Sequence, residues 1–176
     1  MRIFLIGYMG SGKTFWGNKL GESLGLSFWD LDNVIESAEN SSISKIFSKH
    51  GEDVFRIMES HYLGETIANN QSMILACGGG TPCFNENMSL MLQSGMVIYL
   101  RVSLSVLTKR LLNEHAHRPL IADQSKGLIE SYIAHALPAR EAFYEKAHLL
   151  IDADNIDIDT FVKKINAYVQ ASHSMG

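Results

Sequence analysis

Cysteine is scarce in this chain, positive charge is not in excess, and no long apolar run occurs. Only Cys77 and Cys83 stand among the 176 residues. That is too few for a disulfide framework, and too few for a zinc site without help from histidine. Such usage fits a reducing compartment. The apolar opening Ile3-Phe4-Leu5-Ile6 stops at Gly7, far short of a secretory h-region or a spanning helix, so a cytoplasmic protein is expected. Lys and Arg number 15 against 19 Asp and Glu, a formal net charge of −4. Coating nucleic acid by counterion release needs a basic surface, which argues against that class, and the composition and short apolar runs lead to no membrane partner being expected. Any anion must be held by locally placed donors. There is no low-complexity stretch and no internal repeat.

What is present is a globular composition, 46% hydrophobic and 19% charged, in a length that suits one domain with a sizeable core. Continuous apolar runs at Arg2–Ile6, Leu26–Asp30, Met73–Cys77, Met96–Leu100 and His148–Ile151 predict strands. Between them, helical spacing predicts helices over Gly12–Leu24, Asp32–Glu39, Ser42–Lys49, Glu52–Ala68, Asn85–Gln93, Leu104–Asn113, Gly127–Tyr144 and Asp157–Val169. Pro138 is expected to kink or interrupt one of them. Glu114–Lys126 lacks a period and reads as a long loop, and Ala171–Gly176 as a frayed tail. Strands alternating with helices predict a parallel α/β sheet covered on both faces, with right-handed crossovers. Ligands bind such sheets at the carboxyl ends of the strands. Three segments fall there: Gly7–Thr14, Asp30–Asp32 and Gly78–Gly80.

Gly7-Tyr8-Met9-Gly10-Ser11-Gly12-Lys13-Thr14 fits G-x-x-x-x-G-K-[ST]. Its glycines let backbone N–H groups wrap a phosphate, and the helix that follows adds its positive end. Lys13 reaches the β- and γ-phosphates, and the Thr14 hydroxyl suits Mg²⁺. The bland alternative is a glycine-rich turn that binds nothing, but the motif follows a strand and opens a helix. Gly10, Ser11, Gly12, Lys13 and Thr14 are therefore candidate nucleoside-triphosphate residues. The motif alone does not separate a kinase from a GTPase or a motor.

Asp30 and Asp32 end the second strand two residues apart, which aims both carboxylates to one side. Like charges so close favour a shared cation or donor. Mg²⁺ beside Thr14 suits Asp30, and Asp32 suits accepting a proton from a substrate hydroxyl. The competing reading makes Asp32 a helix N-cap. The six arginines are Arg2, Arg56, Arg101, Arg110, Arg118 and Arg140. Arginine captures carboxylate or phosphate in a planar, two-pronged grip, although any one of the six is by default a solvated charge. Glu59, three residues after Arg56, either pairs with it or holds it for a ligand. Gly78-Gly79-Gly80 permits close backbone approach, or is simply a flexible turn. A metal reading for Cys77 and Cys83 lacks further ligands, and His115 and His117 read as solvated.

Five features in order, Gly7–Thr14, Asp30-Leu31-Asp32, Phe55-Arg56 with Glu59, Gly78-Gly79-Gly80, and Arg118-Pro119-Leu120 followed by Ala139-Arg140 and Tyr144, resemble shikimate kinases over nearly the whole chain. The resemblance implies a P-loop three-layer sandwich: a five-stranded parallel sheet in order 2-3-1-4-5, helices on both faces, and a lid. It implies a single domain over residues 1–176, with a shikimate-binding region at about 31–60 and the lid at about 113–126. It implies ATP-dependent phosphorylation of the 3-hydroxyl of shikimate, a step toward chorismate and the aromatic amino acids. Catalytic roles then fall to Lys13, Asp32 and Arg118. ATP contacts fall to Gly10, Ser11, Gly12, Lys13, Thr14, Arg110 and Arg118. Substrate contacts fall to Asp32, Arg56, Gly78, Gly79, Gly80 and Arg140, and Mg²⁺ to Thr14 and Asp30. The expected partners are ATP and shikimate, with a monomer as the working form. One departure is Phe15-Trp16 after Thr14, where many members carry a second small hydroxylic residue.

Two other readings remain at this point. Another small-molecule kinase of the same fold, such as a gluconate kinase, shares the loop and an anionic acceptor. A nucleotide-binding switch without an acceptor is the other. The guanine-reading N-K-x-D is absent, since Asn18-Lys19 runs into Leu20-Gly21.

Overall fold

The apolar runs with no alternation, Arg2–Ile6 (β1), Met73–Ala76 (β3) and Met96–Arg101 (β4), form the three inner strands of one parallel sheet. Burial on both faces is what removes the need for alternation. The edge strands Phe28–Asp30 (β2) and Leu149–Asp152 (β5) complete the order β2-β3-β1-β4-β5. These features come from a computed structural model, which describes residues 1–114 and 126–174.

Helices Lys13–Leu24 (α1), Leu31–Glu39 (α2), Ile43–Asn69 (α3), Asn87–Ser94 (α4), Leu104–Glu114 (α5), Lys126–Tyr144 (α6) and Ile158–Ser174 (α7) connect and cover the strands. The core runs through the sheet, where Ile3, Phe4, Leu5, Leu75, Val97 and Ile98 are fully buried. Burying a large aliphatic side chain contributes about 1.5–3 kcal/mol.

The register decides where the chemistry falls. Leu5 pairs with Ala76, and Ala76 pairs with Asp30 on its other side. The loops after β1 and β3, and the end of β2, therefore leave the sheet at one level on its carboxyl edge.

Several boundaries differ from expectation, each for a local reason. β2 starts at Phe28 rather than Leu26, because Gly25 caps α1 in the left-handed region and Leu26 N–H donates back to Gly21 O at 3.0 Å. The two helices expected around Gly51 run together as α3, broken only at Gly51, where φ is 80° and ψ 174°. α6 continues through Pro138. The tail expected to fray is helical as far as Ser174. Thr81–Cys83 forms a short 3-10 turn that periodicity did not reveal. The loop expected at Glu114–Lys126 falls, for residues 115–125, outside the described residues.

Candidate active site

The phosphate loop is closed by its own side chains. Gly12 caps α1 with φ 90°, a left-handed conformation that glycine adopts without strain. Lys13 Nζ donates to Gly7 O at 2.9 Å and Tyr8 O at 3.1 Å, which spans the mouth of the loop. Arg110 comes from α5 and donates to Gly10 O at 2.9 Å. Ser11 faces inward: its side chain is buried, and its N–H closes a turn onto Tyr8 O at 3.1 Å. Gly10, Gly12, Lys13, Thr14 and Arg110 line a cleft of about 760 Å³ that Asp32 and Gly79 also line.

Asp30 and Asp32 divide the labour at the end of β2. Asp30, not Asp32, caps α2: its Oδ1 accepts from Asp32 N–H at 3.1 Å. Its Oδ2 accepts from the Thr14 hydroxyl at 2.9 Å. Asp32 stands one step further in. Burial, reinforced by the negative charges of Asp30 and Glu59, pushes its carboxyl from 3.8 up to about 6, against the pull of Lys13.

The three glycines are a junction rather than a loose turn. A methyl built on Gly78 would lie 2.9 Å from Glu59 Oε1 and 3.4 Å from Asp32 Oδ1. One on Gly79 would lie 3.3 Å from Met9 N and 3.5 Å from Arg140 Nη1, and one on Gly80 only 2.6 Å from Arg56 Nη2. Three consecutive residues thus touch the aspartate, the phosphate loop and both arginines.

The arginines are held differently. Arg56 Nη1 meets buried Glu59 at 2.9 Å, while Nη2 meets exposed Glu52 at 2.9 Å. Its guanidinium carbon also lies 4.4 Å from the Phe84 ring and 5.2 Å from the Phe55 ring. Arg140, on α6, has no ion pair with a carboxylate among the described residues. It lies 5.1 Å from the ring of Tyr8, and its positive charge acts on the Tyr144 hydroxyl. That hydroxyl donates to Gly79 O.

The structure therefore brings together Gly10, Ser11, Gly12, Lys13, Thr14, Asp30, Asp32, Arg56, Gly78, Gly79, Gly80, Arg110 and Arg140. Arg118, His115 and His117 lie outside the described residues. Among those described, no group of three or more His, Cys, Asp or Glu side chains surrounds a metal site. Cys77 is a buried thiol that burial raises well above its ordinary value, which suits packing rather than reactivity. Sequence reasoning missed Thr81, whose hydroxyl donates to Glu59 Oε1 at 2.5 Å across 22 residues of chain. It also missed Tyr8 and Phe84. Glu52 alone left a visible signal, standing one helical turn before Arg56.

The residues point to a kinase for a small anionic alcohol, and comparison with known proteins decides the family. A family profile described as shikimate kinase matches residues 9–170. The chain belongs to the shikimate kinase family. A shikimate kinase from Parabacteroides distasonis is 41% identical over 166 residues, covering 94% of this chain and 95% of that one. The crystal structure of shikimate kinase from Bacteroides thetaiotaomicron superposes with a TM-score of 0.85 at 34% identity, covering 99% and 97%. The structure of the Acinetobacter baumannii shikimate kinase in complex with shikimate gives 0.85 at 31%, covering 97% and 93%. The sheet order and P-loop kinase architecture agree with that membership, and neither a gluconate kinase nor an acceptorless switch is favoured.

Proposed function

We propose that this enzyme transfers the γ-phosphoryl group of ATP to the 3-hydroxyl of shikimate, giving shikimate 3-phosphate and ADP, with the roles below carried by residues of the cleft, of the glycine junction beside it and of the segment that follows α5. The observation that carries the reading is the Gly78–Gly80 junction, which sets a half-buried aspartate and two arginines against the phosphate loop. A triphosphate on one side and a hydroxylated acid on the other would meet at Asp32.

Lys13, the N–H groups of the loop and the start of α1 hold and neutralise the phosphates, and Arg110, which lines the cleft beside the loop, packs on adenine. Arg56 and Arg140 grip the carboxylate of the acid, and the backbone of Gly78, Gly79 and Gly80 lets the ring come close. Asp32 accepts the hydroxyl proton as the oxygen attacks phosphorus. Its raised affinity for protons fits a base working near neutral pH. Positioning and charge neutralisation then supply most of the catalysis.

Thr14 and Asp30 fit Mg²⁺: a hydroxyl and a carboxylate oxygen lie 2.9 Å apart beside the phosphate loop, a hard oxygen pair of the kind that holds Mg²⁺ together with substrate phosphates and water. Bound there, the ion would screen the negative charge of the β- and γ-phosphates. Arg118, on the segment proposed to be a lid, would add positive charge to the same phosphates. The proposed working form is a monomer within the cell interior, since one chain supplies every group above. No helix among the described residues is long and apolar enough to cross a membrane.

A coupled ADP-release assay with shikimate, gluconate and a nucleoside monophosphate tests the assignment. Turnover is expected with shikimate alone, one ADP for each shikimate 3-phosphate. Turnover with gluconate instead, or saturable ATP binding with no acceptor consumed, overturns it.

A further inference from the structure

Arg56 meets two carboxylates as well as aromatic rings, whereas Arg140 meets aromatic side chains and, among the described residues, no carboxylate; the difference lies in the charge each guanidinium keeps. A carboxylate partner fixes a guanidinium and also cancels its charge. An aromatic ring attracts the cation through its negative face and carries no net charge of its own. The edge N–H donors are then left with their charge for a ligand.

Tyr8 provides that face. It belongs to the phosphate loop, one of the variable positions of the motif, yet its side chain is 1% exposed. Its hydroxyl is buried and meets no hydrogen-bond partner among the described residues. A buried phenol normally finds a partner for its hydroxyl, so the ring rather than the hydroxyl accounts for the contact with its neighbours. The centroid of that ring lies 5.1 Å from the Arg140 guanidinium carbon. On its other sides Arg140 acts by its charge on the Tyr144 hydroxyl, itself tied to Gly79 O, and its Nη1 lies against the open face of Gly79. Tyr144 is in turn braced by Tyr99, ring centroids 5.1 Å apart.

We propose that Tyr8 is a positioning residue for acid recognition: its buried ring holds Arg140 in place for the substrate carboxylate without neutralising it. This rests on the reading that Arg140 grips that carboxylate. It assigns to the phosphate loop a part in acceptor binding, carried by a side chain the motif leaves unspecified. The hydroxyl contributes nothing to that role.

Tyr8→Leu keeps an apolar, though smaller, side chain and removes the ring, and Tyr8→Phe removes only the hydroxyl. For Tyr8→Leu the KM for shikimate is expected to rise about five- to thirtyfold, the range of a cation–π contact that is partly to fully desolvated. The KM for ATP should stay within about twofold. Tyr8→Phe should restore the wild-type KM for shikimate and match or exceed the wild-type melting temperature, since a buried orphan hydroxyl is removed. Should Tyr8→Leu fail to fold, Tyr8→Met serves in its place with the same expectation.

Arg140→Ala, measured alongside, separates the two layers of the argument. If Arg140→Ala raises the KM for shikimate and the ring-removing variant does not, the role of Tyr8 is overturned and the arginine assignment stands. If Arg140→Ala leaves that KM unchanged, the assignment beneath it fails. A Tyr8→Phe variant as impaired as Tyr8→Leu would place the role in the hydroxyl and overturn the proposal, as would equal rises in both substrates' KM.

Discussion

Arg56 Nη1 lies 2.9 Å from Glu59 Oε2, and the glutamate is 1% exposed at its side chain. Thr81 donates to the other oxygen of the same carboxylate at 2.5 Å. Glu59 is thus a fully engaged buried anion that links α3 to the turn after the three glycines. Removing one member of a buried pair leaves the other uncompensated, with a penalty of about 3–5 kcal/mol. Arg56 keeps some contact with solvent, which places Glu59→Ala toward the lower figure. Denaturant unfolding checks the loss, and a rise in the KM for shikimate is expected with it.

Gly80→Ala tests the junction without altering any charge. The added methyl would stand 2.6 Å from Arg56 Nη2, too close to coexist with it. The flexible end of the arginine yields before the backbone does. The fold is therefore expected to persist while the grip on the acid weakens. A lost charge-assisted hydrogen bond corresponds to a rise of roughly ten- to a hundredfold in the KM for shikimate. Initial-rate kinetics should show the KM for ATP nearly unchanged.

Asp32→Asn removes the proposed proton acceptor and should lower kcat by about a hundred- to ten-thousandfold. Its effect on stability has the opposite sign. The folded protein holds the Asp32 proton up to about pH 6, whereas the unfolded chain releases it near 3.8. The contribution to stability is therefore full below 3.8 and lost as pH rises through about 6. Wild type should lose on the order of 2 kcal/mol relative to Asp32→Asn across that window. Melting curves of both proteins, free of nucleotide and metal, from acid to neutral pH measure the difference.

Thr14→Val and Asp30→Asn address the oxygen pair beside the phosphate loop. Each removes one of two oxygens 2.9 Å apart. Both variants are expected to need more Mg²⁺ for half-maximal rate, by about tenfold or more, the scale of a lost metal-site partner. Chelation should abolish turnover of the wild type, and added Mg²⁺ should restore it. A magnesium titration of the initial rate at fixed ATP reads the shift directly.

Arg118→Ala is expected to lower kcat by about a hundredfold or more with little change in shikimate affinity, as loss of a charge aimed at the transferring phosphate does. Single-turnover kinetics separates that from slower product release. Unchanged turnover would remove Arg118 from the catalytic set.

The fold was legible where side chains obey a period. The inner strands β1, β3 and β4 show as unbroken apolar runs because both their faces are covered, and α1 shows between Gly12 and Gly25 because a glycine marks each end. The short edge strand β2 was overextended, since the bond from Leu26 N–H to Gly21 O is a feature of the α1 cap and leaves no mark on hydropathy. The phosphate loop was legible as a contiguous motif. The Thr81–Glu59 and Tyr8–Arg140 contacts were not, because their partners lie far apart in the chain and no local pattern records the distance between them.

By itself the sequence determined the parallel α/β class, the phosphate loop, the chemical types gathered around it, and a resemblance strong enough to suggest a substrate. Only the tertiary structure decided which carboxylates share Arg56, that Asp30 rather than Asp32 caps α2, and that each glycine of the triplet faces a different functional group. The physical reason is one of range. Propensity and periodicity act over a few residues, whereas charge compensation and close packing act through space between segments that the sheet order β2-β3-β1-β4-β5 brings side by side.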